Sequence, residues 1–292
     1  MLIKIYRFFR SLFNGTGISR IYPLNKLHAW FLKYQKKVEK VFVNNYTLYL
    51  DEVDTLNLTV KGDYDMFQLG IISKIVKNGD TVLDIGANIG YYTLYLSGLV
   101  GDQGKVYAFE PDTTNFGLLS RSIAENKYTN IRLYEKAVTE QDMQLKLFLN
   151  KENRGDNRIY AKDINWDSID IEGVKLDTFI DERNVSFIKV DIQGSEFGAF
   201  KGMEDIIDSS KNLTILTEFW TQGIINFGND PEALLQFFVD KNYSIYEVDQ
   251  KRSKVLDISV AEILKKYPVE RNLQTDLLIS NNKQLRQLIS IN

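Results

Sequence analysis

Cysteine is absent from this chain of 292 residues, and histidine occurs once, at His28. Without cysteine there is no disulfide framework, no thiolate nucleophile and no cysteine-ligated zinc or iron–sulfur site. One histidine cannot build a His-rich metal centre, so His28 reads as a packing residue. A general base then has to come from Asp, Glu, Lys or Tyr. There are only 4 prolines, and no internal repeat or low-complexity linker divides the chain. No run of about 18 apolar residues exists, so no ordinary transmembrane helix is expected. Lys4, Arg7 and Arg10 interrupt what would be the apolar stretch of a secretory signal. The lack of cysteine fits a reducing compartment, and a cytoplasmic location is the expectation.

What is present is the composition of a folded globular protein: 44% hydrophobic and 26% charged residues. The charge is uneven. Residues 1–40 carry nine Lys or Arg against Glu39 alone, a local +8 that leaves −11 for the other 252 residues of a chain with net charge −3. This asymmetry places a boundary near residues 40 to 45, with a basic extension over 1–45 and the main domain over 46–292. Over residues 2–13, Lys4, Arg7 and Arg10 recur at helical spacing opposite Leu2, Ile5, Phe9 and Leu12. Two readings fit this short amphipathic helix: residues 1–20 contact an anionic membrane surface, or the apolar stripe packs on the main domain or a second subunit. The acidic remainder argues against nucleic acid as a partner.

From residue 46 onward, strand and helix patterns alternate. Strands are expected at Thr81–Ile85, Lys105–Glu110, Ile131–Val138, Val185–Asp191, Leu213–Phe219, Ser244–Asp249 and Thr275–Ser280. Helices are expected at Ile89–Ser97, Thr113–Asn126, Glu196–Ser209 and from Pro231 to Lys241. Spacing of this kind implies βαβ units and a mainly parallel sheet.

The strongest chemical signal is Val82-Leu-Asp-Ile-Gly-Ala-Asn-Ile-Gly90. A hydrophobic strand ends on Asp84, and Gly86 and Gly90 bracket the turn into a helix. A dinucleotide site requires G-x-G-x-x-G; here the middle glycine is missing. An acid just before the loop would also repel pyrophosphate, whereas it suits a ligand with a cationic end, such as the ammonium of S-adenosylmethionine. Glu110, at the tip of the next strand, stands where a carboxylate accepts the hydroxyls of a ribose; the alternative is that it caps the following turn.

These segments resemble the FkbM family of S-adenosylmethionine-dependent methyltransferases. Asp84-Ile-Gly-Ala-Asn-Ile-Gly-Tyr-Tyr92 is similar to its first motif, and Glu110-Pro111 to its ribose-binding acid. Ile188-Lys-Val-Asp-Ile-Gln-Gly-Ser-Glu196 resembles its diagnostic Lys-x-Asp-x-x-Gly-x-Glu pattern, with Leu176-Asp177 before it and Glu218-Phe219 after it. Gly155-Asp-Asn-Arg158 resembles a polar loop of the family. The likeness spans about residues 60–250. It implies an α/β, Rossmann-like class I methyltransferase fold: a seven-stranded, mostly parallel sheet in the order 3-2-1-4-5-7-6, helices on both faces, and here an N-terminal helical extension. It also implies methyl transfer to a hydroxyl of a saccharide, glycolipid or related metabolite.

The candidate residues follow. Asp84, Gly86, Ala87, Asn88, Gly90, Glu110 and Asp191 form the cofactor side. Asp191, Glu196, Glu218 and Lys189 are the catalytic candidates, Glu196 also being open to a structural role at a helix start. Asp191 and Glu218 end adjacent strands and are the pair that would share Mg2+. Asp156, Asn157, Arg158 and Trp220 are candidate substrate contacts, with Trp166 a second aromatic that could stack on a sugar. Tyr91 and Tyr92 open the helix after the loop, one expected to pack inward. Two other classes stay open: a methyltransferase-like binding module without turnover, and a nicotinamide-dependent oxidoreductase. If residues 1–20 are the membrane contact, deleting them will release the protein from anionic vesicles in a flotation assay while its circular dichroism spectrum is retained.

Overall fold

The computed structural model describes residues 38–52, 54–151, 153–160 and 165–289. The amphipathic pattern at 2–13 and His28 lie outside the described residues. The described chain opens with a hairpin of β1 (Lys40–Val43) and β2 (Tyr46–Tyr49). Its two-residue turn, Asn44-Asn45, has φ of 48° and 69°, a left-handed pair that asparagine tolerates and that matches strand twist. The charge boundary expected near residues 40 to 45 coincides with the first half of this hairpin. Then follow α1 (Leu58–Lys61), α2 (Met66–Ile75), β3 (Thr81–Ile85), α3 (Tyr91–Val100), β4 (Lys105–Phe109), α4 (Thr113–Asn126) and β5 (Ile131–Tyr134). β6 (Ala137–Val138), β7 (Met143–Leu149) and β8 (Asp167–Val174) form a separate three-stranded sheet. α5 (Leu176–Phe179), β9 (Phe187–Val190), α6 (Glu196–Gly202), α7 (Glu204–Ser209) and β10 (Thr214–Trp220) return to the main sheet. The rest is α8 (Thr221–Asn226), α9 (Pro231–Asp240), β11 (Ser244–Asp249), β12 (Lys254–Asp257), α10 (Val260–Lys266), β13 (Gln274–Ser280) and α11 (Leu285–Leu288).

The main sheet runs β12-β11-β13-β10-β9-β3-β4-β5. The five strands from β10 to β5 are mutually parallel, and β13 is antiparallel to both its neighbours. The sheet thus has eight strands, not the expected seven. The addition is β12, which folds back on β11 through a tight turn where Arg252 N donates to Asp249 Oδ1 at 3.0 Å. It lies past residue 250, beyond the stretch that carried the family likeness. Two further expectations change. The strand expected over Ile131–Val138 is split, because Ala137 and Val138 leave the main sheet to pair with β8. The helix expected over Glu196–Ser209 is broken at Met203, whose φ of −128° is not helical.

Alternation along the strands fills both faces. Val82, Val106 and Ala108 join one core layer with Leu94, Leu96 and Leu119. Leu83, Ile85, Tyr107 and Phe109 join the other with Phe200, Ile206 and Phe238. This period-two division is what a sheet covered on both sides requires. The order along the chain reverses between β3 and β9, so the crevice at their carboxyl ends is the topological switch point of a doubly wound sheet. No helix among the described residues is long and apolar enough to cross a membrane.

Asp177, part of the family-like pattern, serves the fold. It is buried, and its two oxygens accept from Asp205 N and Ile206 N at 3.1 Å each, capping α7 from a neighbouring element. Asp177→Ala will lower stability by about 1–2 kcal/mol, as loss of a helix N-cap does, read from the urea unfolding midpoint.

Candidate active site

The loop after β3 is held by its backbone. Gly86 N and Ala87 N both donate to Phe109 O at 3.0 Å. Gly86 has φ +81°, and a Cβ there would lie 2.0 Å from the Asp191 carbonyl oxygen. Gly90 has φ +98°, and its Cβ would meet Leu119 Cδ1 at 2.2 Å. Both glycines thus let parts of the protein approach each other: Gly86 brings the tips of β3 and β9 together, and Gly90 seats the start of α3 on α4. Asn88, at φ 50°, accepts from Ile89 N through Oδ1 at 2.7 Å.

Asp84 is fully buried. Its Oδ2 accepts from the Thr93 hydroxyl at 2.5 Å, while Oδ1 has no hydrogen-bond partner. Burial raises its pKa, with the Lys189 ammonium partly opposing. A buried, unpaired carboxylate oxygen at the crevice wall is costly unless a donor meets it. Glu110 is also buried: Oε2 accepts from Asn88 N at 2.7 Å and Oε1 from Asp112 N at 2.9 Å. It ties the β3 and β4 loops together. Burial pushes its pKa to about 8, despite those backbone hydrogen bonds.

At the tip of β9, Lys189 is 6% exposed. Its Nζ donates to Asp191 Oδ2 at 3.2 Å and lies 4.5 Å from the centre of the Tyr92 ring. Burial alone would lower its pKa, but Asp191 and Asp84 outweigh that and hold it above the ordinary value. Paired with Asp191, the Lys189 ammonium stands as a counter-charge among the neighbouring carboxylates. Asp191 also accepts from Gln193 Nε2 at 3.0 Å. Glu196 does not line the cavity. It is 1% exposed, and its Oε1 accepts from Ile192 N at 3.2 Å and Gly194 N at 3.0 Å. It shapes the loop that carries Asp191, the structural alternative for this residue. Glu218 lines the cavity from β10. Its Oε1 accepts from Gln274 Nε2 at 3.0 Å, and its buried Oε2 has no partner. Burial and the charges of Asp191, Glu196 and Asp276 hold its pKa well above the carboxylate range.

The loop carrying residues 153–158 closes over this side. Arg154 and Asn157 donate to Asp112 Oδ2 at 3.0 and 2.7 Å. Asp112 also caps α4, accepting from Thr114 N and Asn115 N. Arg158 pairs with Asp156, and its guanidinium lies 4.6 Å from the Trp220 ring and 5.5 Å from Trp166. Trp220 is fixed by Nε1 donating to Asn272 Oδ1 at 2.7 Å. The cavity enclosed is about 520 Å³, within the range of small-molecule sites. Asp156, Asn157, Arg158 and Trp220 all line it. Tyr91 and Tyr92 are both buried, not one of them. Among the described residues, no three acidic or histidine side chains converge to hold a metal ion. Asp191 and Glu218 instead share the neighbourhood of a buried ammonium, and the Mg2+ expectation is not carried further.

Sequence reasoning missed Asp276 and Asp65, while Asp112 was among the N-cap candidates for the helix it caps. Asp276 is the register partner of Glu218 on β13. The available signal was a carboxylate inside the strand pattern Thr275-Asp-Leu-Leu278.

An acid-tipped glycine loop at the switch point of a doubly wound α/β sheet defines a nucleotide-type cofactor crevice. Residues 84–245 match the methyltransferase FkbM domain, more than half of the chain, and the protein belongs to that family. No curated protein matches the chain in sequence. Among solved structures, it is similar to a SAM-dependent methyltransferase from Aquifex aeolicus (17% identity, 73% of this chain and 88% of that one, TM-score 0.38). It is also similar to an rRNA methylase from Streptococcus thermophilus (14%, 73% and 93%, 0.41) and to a SAM-dependent O-methyltransferase from Thermotoga maritima (12%, 82% and 84%, 0.39).

Burial of Glu196 pushes its pKa from 4.5 to about 7. Between those values the folded state holds a proton that the unfolded chain has lost, so its contribution to stability falls as pH rises from 4.5 to about 7 and is flat above. Glutamine keeps the oxygen that accepts both backbone N–H groups. Glu196→Gln will therefore fold and show a shallower fall of stability across that window, measured by urea unfolding at a series of pH values.

Proposed function

We propose that the protein is an S-adenosylmethionine-dependent O-methyltransferase whose acceptor is a hydroxyl of a saccharide, glycolipid or related metabolite. The observation that carries the cofactor assignment is Asp84 Oδ1, a buried acceptor with no partner at the edge of the glycine loop. It matches an ammonium group and repels a pyrophosphate. Family membership supports the same reading. Asp84, Gly86, Ala87, Asn88 and Gly90 would hold the methionine end, with Asp191 beside it, and Glu110 the ribose. S-adenosylmethionine, when bound, supplies an electrophilic methyl group for in-line displacement.

The chain's own contribution is positioning and proton removal. Glu218 faces the cavity with a free, buried oxygen. Its environment makes the carboxylate a stronger base than an exposed one, once it is ionised. It would take the hydroxyl proton of the acceptor. Lys189 stays protonated and offsets the charge of Asp191 and Glu218. The Arg154 and Asn157 contacts to Asp112 hold the 153–158 loop over the site. Trp220, backed by Arg158, offers a flat apolar surface to a sugar ring.

Calorimetric titration tests this reading. S-adenosylhomocysteine will bind and NADH will not. Asp84→Asn will weaken S-adenosylhomocysteine at least about tenfold, or about 1.4 kcal/mol. Glu218→Gln will leave that affinity unchanged and lower kcat on a responding glycan acceptor by about 10²–10⁴, the usual contribution of a general base. A folded protein that binds no S-adenosylhomocysteine would sink the proposal.

A further inference from the structure

Behind Lys189 lies a second cavity, of about 260 Å³. It shares Lys189, Asp191, Glu218 and Gln274 with the first, so two chambers meet along the tips of β9 and β10. At about 30 Å³ per water, it has room for roughly nine waters, or for one end of a small polar molecule. Four carboxylates line it: Asp65 just before α2, Asp191, Glu218 and Asp276. Among the described residues, Lys189 is the one cation in that lining.

The glutamines of the chamber are already engaged. Gln68 and Gln250 each donate to Asp276 Oδ2, at 2.7 and 2.8 Å. The Tyr92 hydroxyl lies 2.5 Å from Gln68 Oε1 and 2.9 Å from Asp65 Oδ2, and its one proton serves one of the two. Gln274 serves Glu218 Oε1, and Lys189 serves Asp191. Glu218 Oε2 remains, shielded from solvent and without a partner, in a side chain that lines both chambers. Burial, reinforced by neighbouring carboxylates, raises the pKa of Asp65, Glu218 and Asp276, the last to about 6.

This crowding of carboxylates around one ammonium selects among ligands. A neutral polyol would bring no charge to favour their ionised forms. Among the described residues, no group of three or more acidic or histidine side chains is placed to hold a metal ion. A protonated primary amine has three N–H donors pointing in different directions and can serve separated carboxylates. We infer that the second cavity is an amine subsite for the acceptor: it takes the ammonium group of an amino sugar or amino alcohol, held by Asp276, Asp65 and Glu218, while a hydroxyl of the same molecule faces the first cavity. The inference rests on the methyltransferase reading for the fate of the hydroxyl, but the cavity's preference for a cation stands on its own residues. A cation seated beside Glu218 also favours its ionised, proton-accepting form, so the right acceptor would ready its own base.

The test is calorimetry on the full chain saturated with S-adenosylhomocysteine, titrated with glucosamine, glucose and N-acetylglucosamine. Glucosamine should bind at least tenfold tighter than either neutral sugar. Asp276→Asn should cut that preference at least fivefold at unchanged S-adenosylhomocysteine affinity, which also reports a folded protein. Asp65→Asn serves as the second variant should the first not fold. Equal binding of the three sugars, no binding of glucosamine, or a preference that survives both substitutions would overturn the inference. If S-adenosylhomocysteine itself does not bind, the cofactor reading fails. The same sugars titrated into the unloaded chain then test the second cavity alone, with the same outcomes deciding it.

Discussion

A single buried ammonium organises the cavity side of this protein. Lys189 sits at the end of a central parallel strand, packed over Tyr92 and within reach of Asp191. Buried charges persist only when paired, and here the pairing runs in several directions. The field of Lys189 lowers the pKa of Asp84 on the cofactor side and of Asp65, Glu218 and Asp276 on the other, against the upward push of burial. Removing that charge would leave a group of carboxylates with no internal cation. The two chambers are therefore one electrostatic unit seen from two sides, and Lys189 is the wall between them.

The backbone arrangement that permits this is equally specific. β3 and β9 lie side by side at the switch point, and Asp191 N donates to Ile85 O at 3.0 Å where the strands end. Gly86 is the residue without which the tips could not approach, because any side chain there would overlap the Asp191 carbonyl. Glu196 and Glu110 then cap the loops that leave those tips, each accepting two backbone N–H groups. Buried carboxylates thus do two kinds of task. Some fix backbone, and others, Asp84 and Glu218, keep an oxygen unpartnered at the cavity. Two acids read as catalytic from the sequence differ in place: Glu196, whose Oε2 is also unpartnered, lies off the cavity, and Glu218 lines it.

Much of this was legible beforehand for physical reasons. A parallel strand buried on both faces reads as a continuous aliphatic run, so β3, β4, β9 and β10 were found within a residue or two of their ends. The motif residues Asp84, Glu110 and Asp191 cluster because short loops after parallel strands all open on the same edge of the sheet. Asp276 and Asp65 were not legible, since their meeting with Glu218 depends on an antiparallel strand and a helix start far away in the chain. Strand β12 carried too few alternating residues to announce itself. The second core face, and the break at Met203, depend on which neighbour each side chain meets.

From its residues alone, then, the chain determined its class of fold, the strand tips that carry chemistry and the family to which it belongs, because those features are local: hydrophobic period, glycine position and acid spacing. Tertiary structure decided the rest. It decided that Lys189 is a counter-charge, that Glu196 holds a loop, that Glu218 keeps an unpartnered oxygen, and that a second acidic chamber opens behind the first. Each of these depends on burial and on the sum of nearby charges. Such quantities exist only once distant segments have been brought within a few ångströms of each other.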